Sequence, residues 1–264
     1  LCFTENDRLD ITEYTQAAMV TTSIAMMKVL MEETGIQPDV TAGLSLGEYC
    51  ALYAAGVMSA DDAITTVRKR GILMQEAVPV GVGAMAAVLG LDAEKIEEIC
   101  GQTAGTVSIA NYNCPGQVVI AGATEAVKQA CVEMKEAGAK MAIMLKVSAP
   151  FHSTLMEPAA KKLESVLSDI TIHDAQIPVY ANYTAKPELK ADEIRKNLIM
   201  QAAHPVLWDE SVRNMIADGA DLMIEAGPGT VLSGFMKRIS RRTRTLHAED
   251  AETIENVLTS LEAE

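Results

Sequence analysis

Gly43-Leu44-Ser45-Leu46-Gly47 constrains this chain more tightly than any other segment. It follows a strand-like run, Val40-Thr41-Ala42, and opens a helix-like run from Glu48 to Ala55. Gly-x-Ser-x-Gly between a strand and a helix has the pattern of a nucleophile elbow. The turn is tight, so small residues are required around the serine. It lifts the serine Oγ into a cleft and sets backbone N–H groups of the helix start beside it, where they can stabilise an oxyanion. Glycine and serine are also ordinary turn residues, so the flanking strand and helix carry the inference.

The same strand–turn–helix logic extends along the chain and predicts an α/β fold. Asp10 with Glu13 resembles a capping box before a helical run through Ile11, Tyr14, Ala17, Ala18, Ile24, Met27 and Leu30 that Gly35 ends. Ser59-Ala60-Asp61-Asp62 starts a second helix, which carries Arg68, Lys69 and Arg70 and runs through Met74. The rhythm then changes. A strand over 84–89, a helix over 92–100, strands over 107–110 and 117–121 joined by the turn Asn113-Cys114-Pro115-Gly116, a helix over 124–137 and a strand over 141–147 give β-α-β-β-α-β. This order predicts a ferredoxin-like small domain over 81–148. It is inserted into a discontinuous, large α/β-hydrolase-like domain with a parallel sheet, over 1–80 and 149–264. There, helices are expected over 158–167, 194–201 and 209–218, strands over 177–182 and 221–225, then a basic helix-like segment and a last strand.

Composition narrows the class. With 264 residues and 49% hydrophobic content, the chain can bury one large core with a smaller insert. A net charge of −14 argues against general nucleic-acid binding. No apolar run reaches membrane-spanning length, and the N-terminus does not resemble a signal peptide, so a soluble cytoplasmic protein is expected. The five cysteines form no C-x-x-C pair and read as reduced thiols. No metal or cofactor site is expected. The sequence starts at Leu1 rather than Met, close to a long helix, which predicts that an N-terminal piece is missing.

A serine nucleophile needs a base, and the chain offers four histidines. His152, in Ala149-Pro150-Phe151-His152-Ser153, lies just beyond a strand end where the small domain returns to the large one. His173 and His247 sit in polar or charged stretches and read as surface, and His204, before Pro205, can cap a helix. Position alone leaves His152 open between a catalytic and a structural role.

Five segments occur in fixed order: Gly43–Tyr49; Arg68-Lys69-Arg70-Gly71 with Met74-Gln75; Asn111–Gln117; Pro150-Phe151-His152-Ser153; and Glu225-Ala226-Gly227-Pro228-Gly229. Together they resemble the malonyl-CoA:acyl carrier protein transacylase family of fatty acid synthesis, over essentially the whole chain. The resemblance implies ping-pong acyl transfer on a Ser–His dyad, with Ser45 as nucleophile and His152 as general base. It implies that a backbone carbonyl, at Gln201, holds the histidine. Arg70 matches the arginine that pairs with the malonyl carboxylate, although an Arg-Lys-Arg run otherwise reads as a solvated face. Phe151 matches a position associated with malonyl over methylmalonyl choice. Asn111 and Asn113 match positions lining the cleft, and equally read as amides that satisfy turn backbone. The Leu46 backbone N–H is the expected oxyanion donor. The family's second donor belongs to an N-terminal Gly-Gln-Gly segment that this sequence does not contain, which puts activity of the chain in question. Leu44 stands in the pocket wall where many relatives carry histidine.

The implied partners are malonyl-CoA and an acyl carrier protein, acting on a monomer without nucleic acid, membrane or cofactor. Carrier proteins are acidic and so is this chain, so encounter requires a local basic patch. Lys237, Arg238, Arg241, Arg242 and Arg244 lie in a stretch without acidic residues between Phe235 and Arg244, and with Lys69 they are the expected patch. The elbow also permits a serine esterase or thioesterase, for which an acid between Ser45 and His152 would be wanted. A third alternative is an inactive, truncated transacylase.

Overall fold

The computed structural model describes residues 2, 4–9, 11–79, 81–147 and 149–262. Asp10 of the expected capping box, and Val80 and Ser148 at the expected domain crossings, lie outside the described residues. The chain opens with α1 (Thr12–Thr34), β1 (Thr41–Ala42), α2 (Gly47–Ala54) and α3 (Ala60–Ala77). Ser59 caps α3 by accepting the Asp62 N–H at 3.0 Å, with Asp61 and Asp62 in the first turn, where negative charge suits the helix dipole. Glu13 is drawn into an ion pair with Arg68 of α3. α1 packs tightly on α3 at Gly71, where an added Cβ would lie 2.6 Å from the Glu13 Cα. Glycine at that point allows the close approach and brings Gln16 of α1 against Arg70 of α3.

The middle of the chain follows as β2 (Gly83–Leu89), α4 (Ala93–Gln102), β3 (Val107–Cys114), β4 (Gln117–Ala123), α5 (Thr124–Glu136) and β5 (Met141–Met144). Its four strands form one antiparallel sheet in the order β3-β4-β2-β5. The element order matches the sequence expectation, with two local differences. β3 runs on through Asn113 and Cys114, so the turn is confined to Pro115-Gly116. Register shifts between Ile109 and Asn111 and between Tyr112 and Cys114 let the polar Asn-Tyr-Asn stretch continue as bulged strand. β5 ends at Met144 rather than Val147. One face of this sheet buries Val88, Ile109 and Ile120 against Ile96, Val127 and Met134 of the two helices. The other presents Met85, Ala110, Val119 and Ala121, on which Phe151 packs.

The rest comprises α6 (Glu157–Ser168), β6 (Val179–Tyr180), β7 (Pro187–Glu188), α7 (Ala191–Gln201), α8 (Trp208–Ala217), β8 (Leu222–Ala226), α9 (Val231–Ile239), β9 (Arg244–Ala248) and α10 (Ala251–Glu262). Ala159, Ala160, Leu163 and Leu167 form the buried stripe of α6 and join Tyr49, Leu52, Val67 and Leu198 in the main core. Parallel pairing is present, between β1 and β6 and between β8 and β9, but not as one continuous sheet among the described residues. β1 is two residues long and spends them on β6, and β6 takes the short antiparallel strand β7 on its other edge. The architecture is mixed α/β, with the elbow at the end of β1.

Candidate active site

The elbow is built by a backbone that only its own sequence allows. Ser45 has φ 53, the left-handed region that L-residues rarely enter. A Cβ at Gly43 would lie 2.0 Å from the carbonyl of Gly47, so position 43 admits glycine alone. Gly47 is different: a Cβ there meets nothing within 4 Å. The expectation that small residues are needed on both sides of the serine therefore holds for Gly43 and not for Gly47. Leu44 turns away from the cleft and packs in the cluster of Tyr180, Val206 and Phe235, correcting its expected place in the pocket wall. Asn182, just after β6, fastens the turn: its Oδ1 accepts the Ser45 N–H at 2.6 Å and its Nδ2 donates to the Gly43 carbonyl at 2.7 Å. The Leu46 N–H has no acceptor among the described residues and stands free at the start of the helix.

His152 reaches the serine from the far side of the chain. Its Nε2 lies 2.7 Å from Ser45 Oγ, and its Nδ1 lies 2.8 Å from the Gln201 carbonyl. A carbonyl only accepts, so Nδ1 carries the proton and Nε2 is left as the acceptor facing the hydroxyl. His152 also sits at positive φ, 57. Burial, and then the charge of Arg70, pushes its pKa down to about 3, so the imidazole is neutral at pH 7. His204 is elsewhere: its Nδ1 lies 2.8 Å from the Met200 carbonyl, where it caps the end of α7, and its ring packs edge-on against Tyr183. His173 is exposed, and His247 is half-buried in β9.

Arg70 is only 2% exposed and lies at the serine, not on a solvated face. Nη2 donates to Ser45 Oγ and to Gln201 Oε1, each at 3.1 Å, and Nη1 donates to Gln16 Oε1 at 2.7 Å. These acceptors are all neutral, and no carboxylate among the described residues forms an ion pair with Arg70. Burial lowers its pKa, while Tyr49 and Glu48 oppose the shift. Arg68 and Arg70 are thus separated by helix geometry: Arg68 stacks over Tyr14 and pairs with Glu13.

Gln201 contributes more than the carbonyl expected of it. It ends α7, where a last-turn carbonyl has no intrahelical partner and is free to take the His152 proton donor. Its side chain is fully buried and in use, with Nε2 donating to the Ser45 carbonyl and to Glu48 Oε2, both at 2.9 Å. Three residues to which sequence reasoning gave no role thus belong to the site, Asn182, Glu48 and Gln16, and the buried Met74 walls it. Only Gln16 carried a signal, being a polar residue on the apolar side of a helical run.

A cleft of about 300 Å³ opens on Ser45. Arg70, Gln16, Leu46, Met74 and Phe151 line it, with Leu9, Lys146 and Val147 among its other walls. Asn111 and Asn113 are buried in the bulged strand β3 and are not among the residues that line this cleft. Of the basic stretch, Lys237, Arg241 and Arg242 are exposed, as is Lys69. Arg238 is exposed but donates to Gln117 Oε1 at 3.1 Å. Arg244 is a strand residue that donates to Ser260 Oγ at 2.6 Å, so it is held against α10 rather than presented with the others. Among the described residues, no cluster of His, Cys, Asp or Glu has metal-binding geometry, and no helix is long and apolar enough to cross a membrane.

Residues 2–258 match the family described as "Acyl transferase domain". The malonyl CoA-acyl carrier protein transacylase of Bacillus subtilis (strain 168) is 48% identical over 261 residues, 98% of this chain and 82% of the relative. That of Escherichia coli (strain K12) is 47% identical over 235 residues, 88% of this chain and 76% of the relative. Among solved structures, the malonyl CoA-acyl carrier protein transacylase of Coxiella burnetii superposes with a TM-score of 0.94 at 40% identity, covering 97% of this chain and 82% of that one. A malonyl-transacylase solved in complex with a type II PKS acyl-carrier protein gives 0.94 at 44% identity, covering 96% and 83%. With the serine elbow, the carbonyl-held histidine and the buried arginine in one cleft, this chain belongs to the malonyl-CoA:acyl carrier protein transacylase family.

Proposed function

We propose that the chain transfers malonyl groups from malonyl-CoA to the phosphopantetheine thiol of an acyl carrier protein, through a malonyl ester on Ser45. The observation that carries this is Arg70: a buried guanidinium that touches the nucleophile and has only neutral partners. A carboxylate delivered with the acyl group supplies the direct ion pair that Arg70 lacks, in bidentate geometry, whereas an acetyl group does not. His152 Nε2 takes the Ser45 proton as Oγ attacks the thioester carbonyl. The Leu46 N–H meets the developing oxyanion. The imidazolium then returns its proton to the departing CoA thiolate; in the second half-reaction neutral His152 takes the carrier thiol's proton as its sulfur attacks the malonyl ester, and hands it to the departing Ser45 oxygen. Phe151, packed against the small sheet and facing the cleft, crowds a methyl branch on the acyl group.

The architecture supporting this is read as two lobes. The β-α-β-β-α-β segment is ferredoxin-like, by its strand order, and is inserted at 81–148 into an α/β-hydrolase-like lobe. Lys237, Arg241 and Arg242, with Arg238, offer an exposed basic patch to an acidic carrier protein. The hydrolase alternative is disfavoured by His152 Nδ1, which is bound to a backbone carbonyl and not to an acid. Intact mass spectrometry after mixing with malonyl-CoA tests the proposal. A malonyl adduct that is lost in Ser45→Ala is expected, and release of that adduct to water as fast as to carrier thiol would refute transfer.

A further inference from the structure

Behind Gln201 the site continues into a buried acid pair that the acyl-transfer roles leave unused. Glu48, three residues after the nucleophile, is fully buried, and its Oε2 accepts two N–H donors at 2.9 Å: the Asn182 backbone and Gln201 Nε2. Both donors belong to residues that hold reacting groups. Gln201 orients His152 and grips the Ser45 carbonyl and Arg70, while Asn182 accepts the Ser45 N–H and binds the Gly43 carbonyl. One carboxylate oxygen is therefore the common acceptor behind nucleophile, base and arginine.

Glu188 on β7 is 1% exposed, and its Oε2 accepts from Asn197 Nδ2 at 2.6 Å, one turn before Gln201 on α7. The remaining oxygens, Glu48 Oε1 and Glu188 Oε1, are both buried without a donor among the described residues. Glu48 and Glu188 also repel one another as ionised groups, with Arg70 from α3, Tyr49 from α2 and Glu193 from α7 as the other titratable neighbours. Two anions here would leave two orphaned acceptors and a like-charge pair out of water. A proton on one of the two carboxyls removes the like-charge pair.

We infer that Glu48 is the positioning residue of this site and that Glu188 carries a proton which keeps Glu48 an anion, clamping Gln201 and Asn182. Burial raises both carboxyls, but the bonds from Asn182 and Gln201 and the charge of Arg70 all favour the ionised form of Glu48, whereas Glu188 has one such bond, from Asn197, and is repelled by Glu48 and Glu193. The functional half of the inference rests on the malonyl-serine reading; the proton does not.

Two measurements on the full chain test it. The first is urea unfolding from pH 5 to 8. The native state retains the Glu188 proton that the unfolded chain releases near pH 4.5, so this group raises the unfolding constant about tenfold per pH unit. In Glu188→Gln that dependence is expected to be shallower by about one proton, and equal slopes would overturn the Glu188 proton. The second is rapid-quench loading of Ser45. Glu48→Gln is expected to slow loading at saturation by about 10–100-fold for malonyl-CoA and acetyl-CoA alike, with no rise in the malonyl-CoA KM, and Glu48→Asp is expected to recover part of the rate by keeping the charge. Wild-type loading by folded Glu48→Gln, or a loss confined to KM, overturns the positioning role. Should Glu48→Gln not fold, Glu48→Asp must show the same rate-only defect for the role to stand. Absence of any malonyl-Ser45 in the wild type would sink the acyl-serine reading instead, while the unfolding slopes would still report the proton.

Discussion

Replacing Arg70 by alanine separates carboxylate recognition from every other duty of the site. Arg70 Nη2 is 3.1 Å from Ser45 Oγ, so the free carboxylate of a malonyl ester on that oxygen comes within about 4 Å of the guanidinium. Two unit charges at that distance interact by about 4 kcal/mol at an effective dielectric of about 20. At about 1.4 kcal/mol per decade this corresponds to roughly 10²–10³ in kcat/KM for malonyl-CoA. The substitution also strips donors from Gln16 Oε1 and Gln201 Oε1, at about 1–3 kcal/mol for each buried acceptor. That second loss acts on the protein itself and falls equally on any acyl donor. The informative quantity is therefore a ratio. With malonyl-CoA and acetyl-CoA in competition and the Ser45 adducts weighed by intact mass spectrometry, malonyl over acetyl is expected to fall by about 10²–10³ in Arg70→Ala. If both adducts fall together and the ratio stays as in the wild type, Arg70 serves the nucleophile or the fold, and carboxylate recognition must be sought elsewhere.

Gly43→Ala is expected to lower both the melting temperature and Ser45 loading, because its Cβ would collide with the Gly47 carbonyl, whereas Gly47→Ala has open space and is expected to stabilise the helix start by about 0.5–1 kcal/mol; equal behaviour of the two in thermal melts would contradict the turn geometry. His152 is held down to about 3 against about 6.5 when unfolded, so the unfolded chain binds the extra proton and stability is lost as pH falls from 6.5 towards 3, with no contribution above 6.5. Denaturant titrations at pH 5 are expected to show a penalty of about 2 kcal/mol from this group, absent in His152→Gln; matching pH slopes would show an unburied imidazole. Phe151→Ala is expected to raise methylmalonyl relative to malonyl loading by about 10–200-fold, the worth of a methyl discriminated by shape, and an unchanged ratio in the competition assay would remove Phe151 from acyl selection.

What could be read from the sequence was what local sterics or periodicity write into it. The elbow, the Ser59 cap and the alternation of the middle segment depend on neighbours in sequence, and all three are where they were expected. Asn113 and Cys114 read as turn but lie in β3, because a bulged strand can carry the polar residues of a turn. Helix α10 went unread although Ile254, Val257 and Leu261 are spaced to bury one face against Leu30 and Ala248. Glu48 and Asn182 were illegible for another reason. A charged or amide side chain in a helix or at a strand end reads as solvent-facing, and only long-range packing shows that water has been replaced by Gln201 and Ser45. Arg70 and Arg68, two residues apart in one run, meet opposite environments because a helix turns them to different sides.

The group that steadies His152 has an unusual genetic status. Because it is the main-chain oxygen at the end of α7, every amino acid at position 201 supplies it, and no single substitution there deletes it. What places it is the point at which the helix stops. A residue inserted into or removed from Ala191–Gln201 would rotate that terminus by about 100° and carry the oxygen away from the imidazole. The third member of this hydrogen-bonded group is thus inherited as a length and not as a letter, and lesions that silence it are to be looked for among insertions, deletions and helix-breaking prolines.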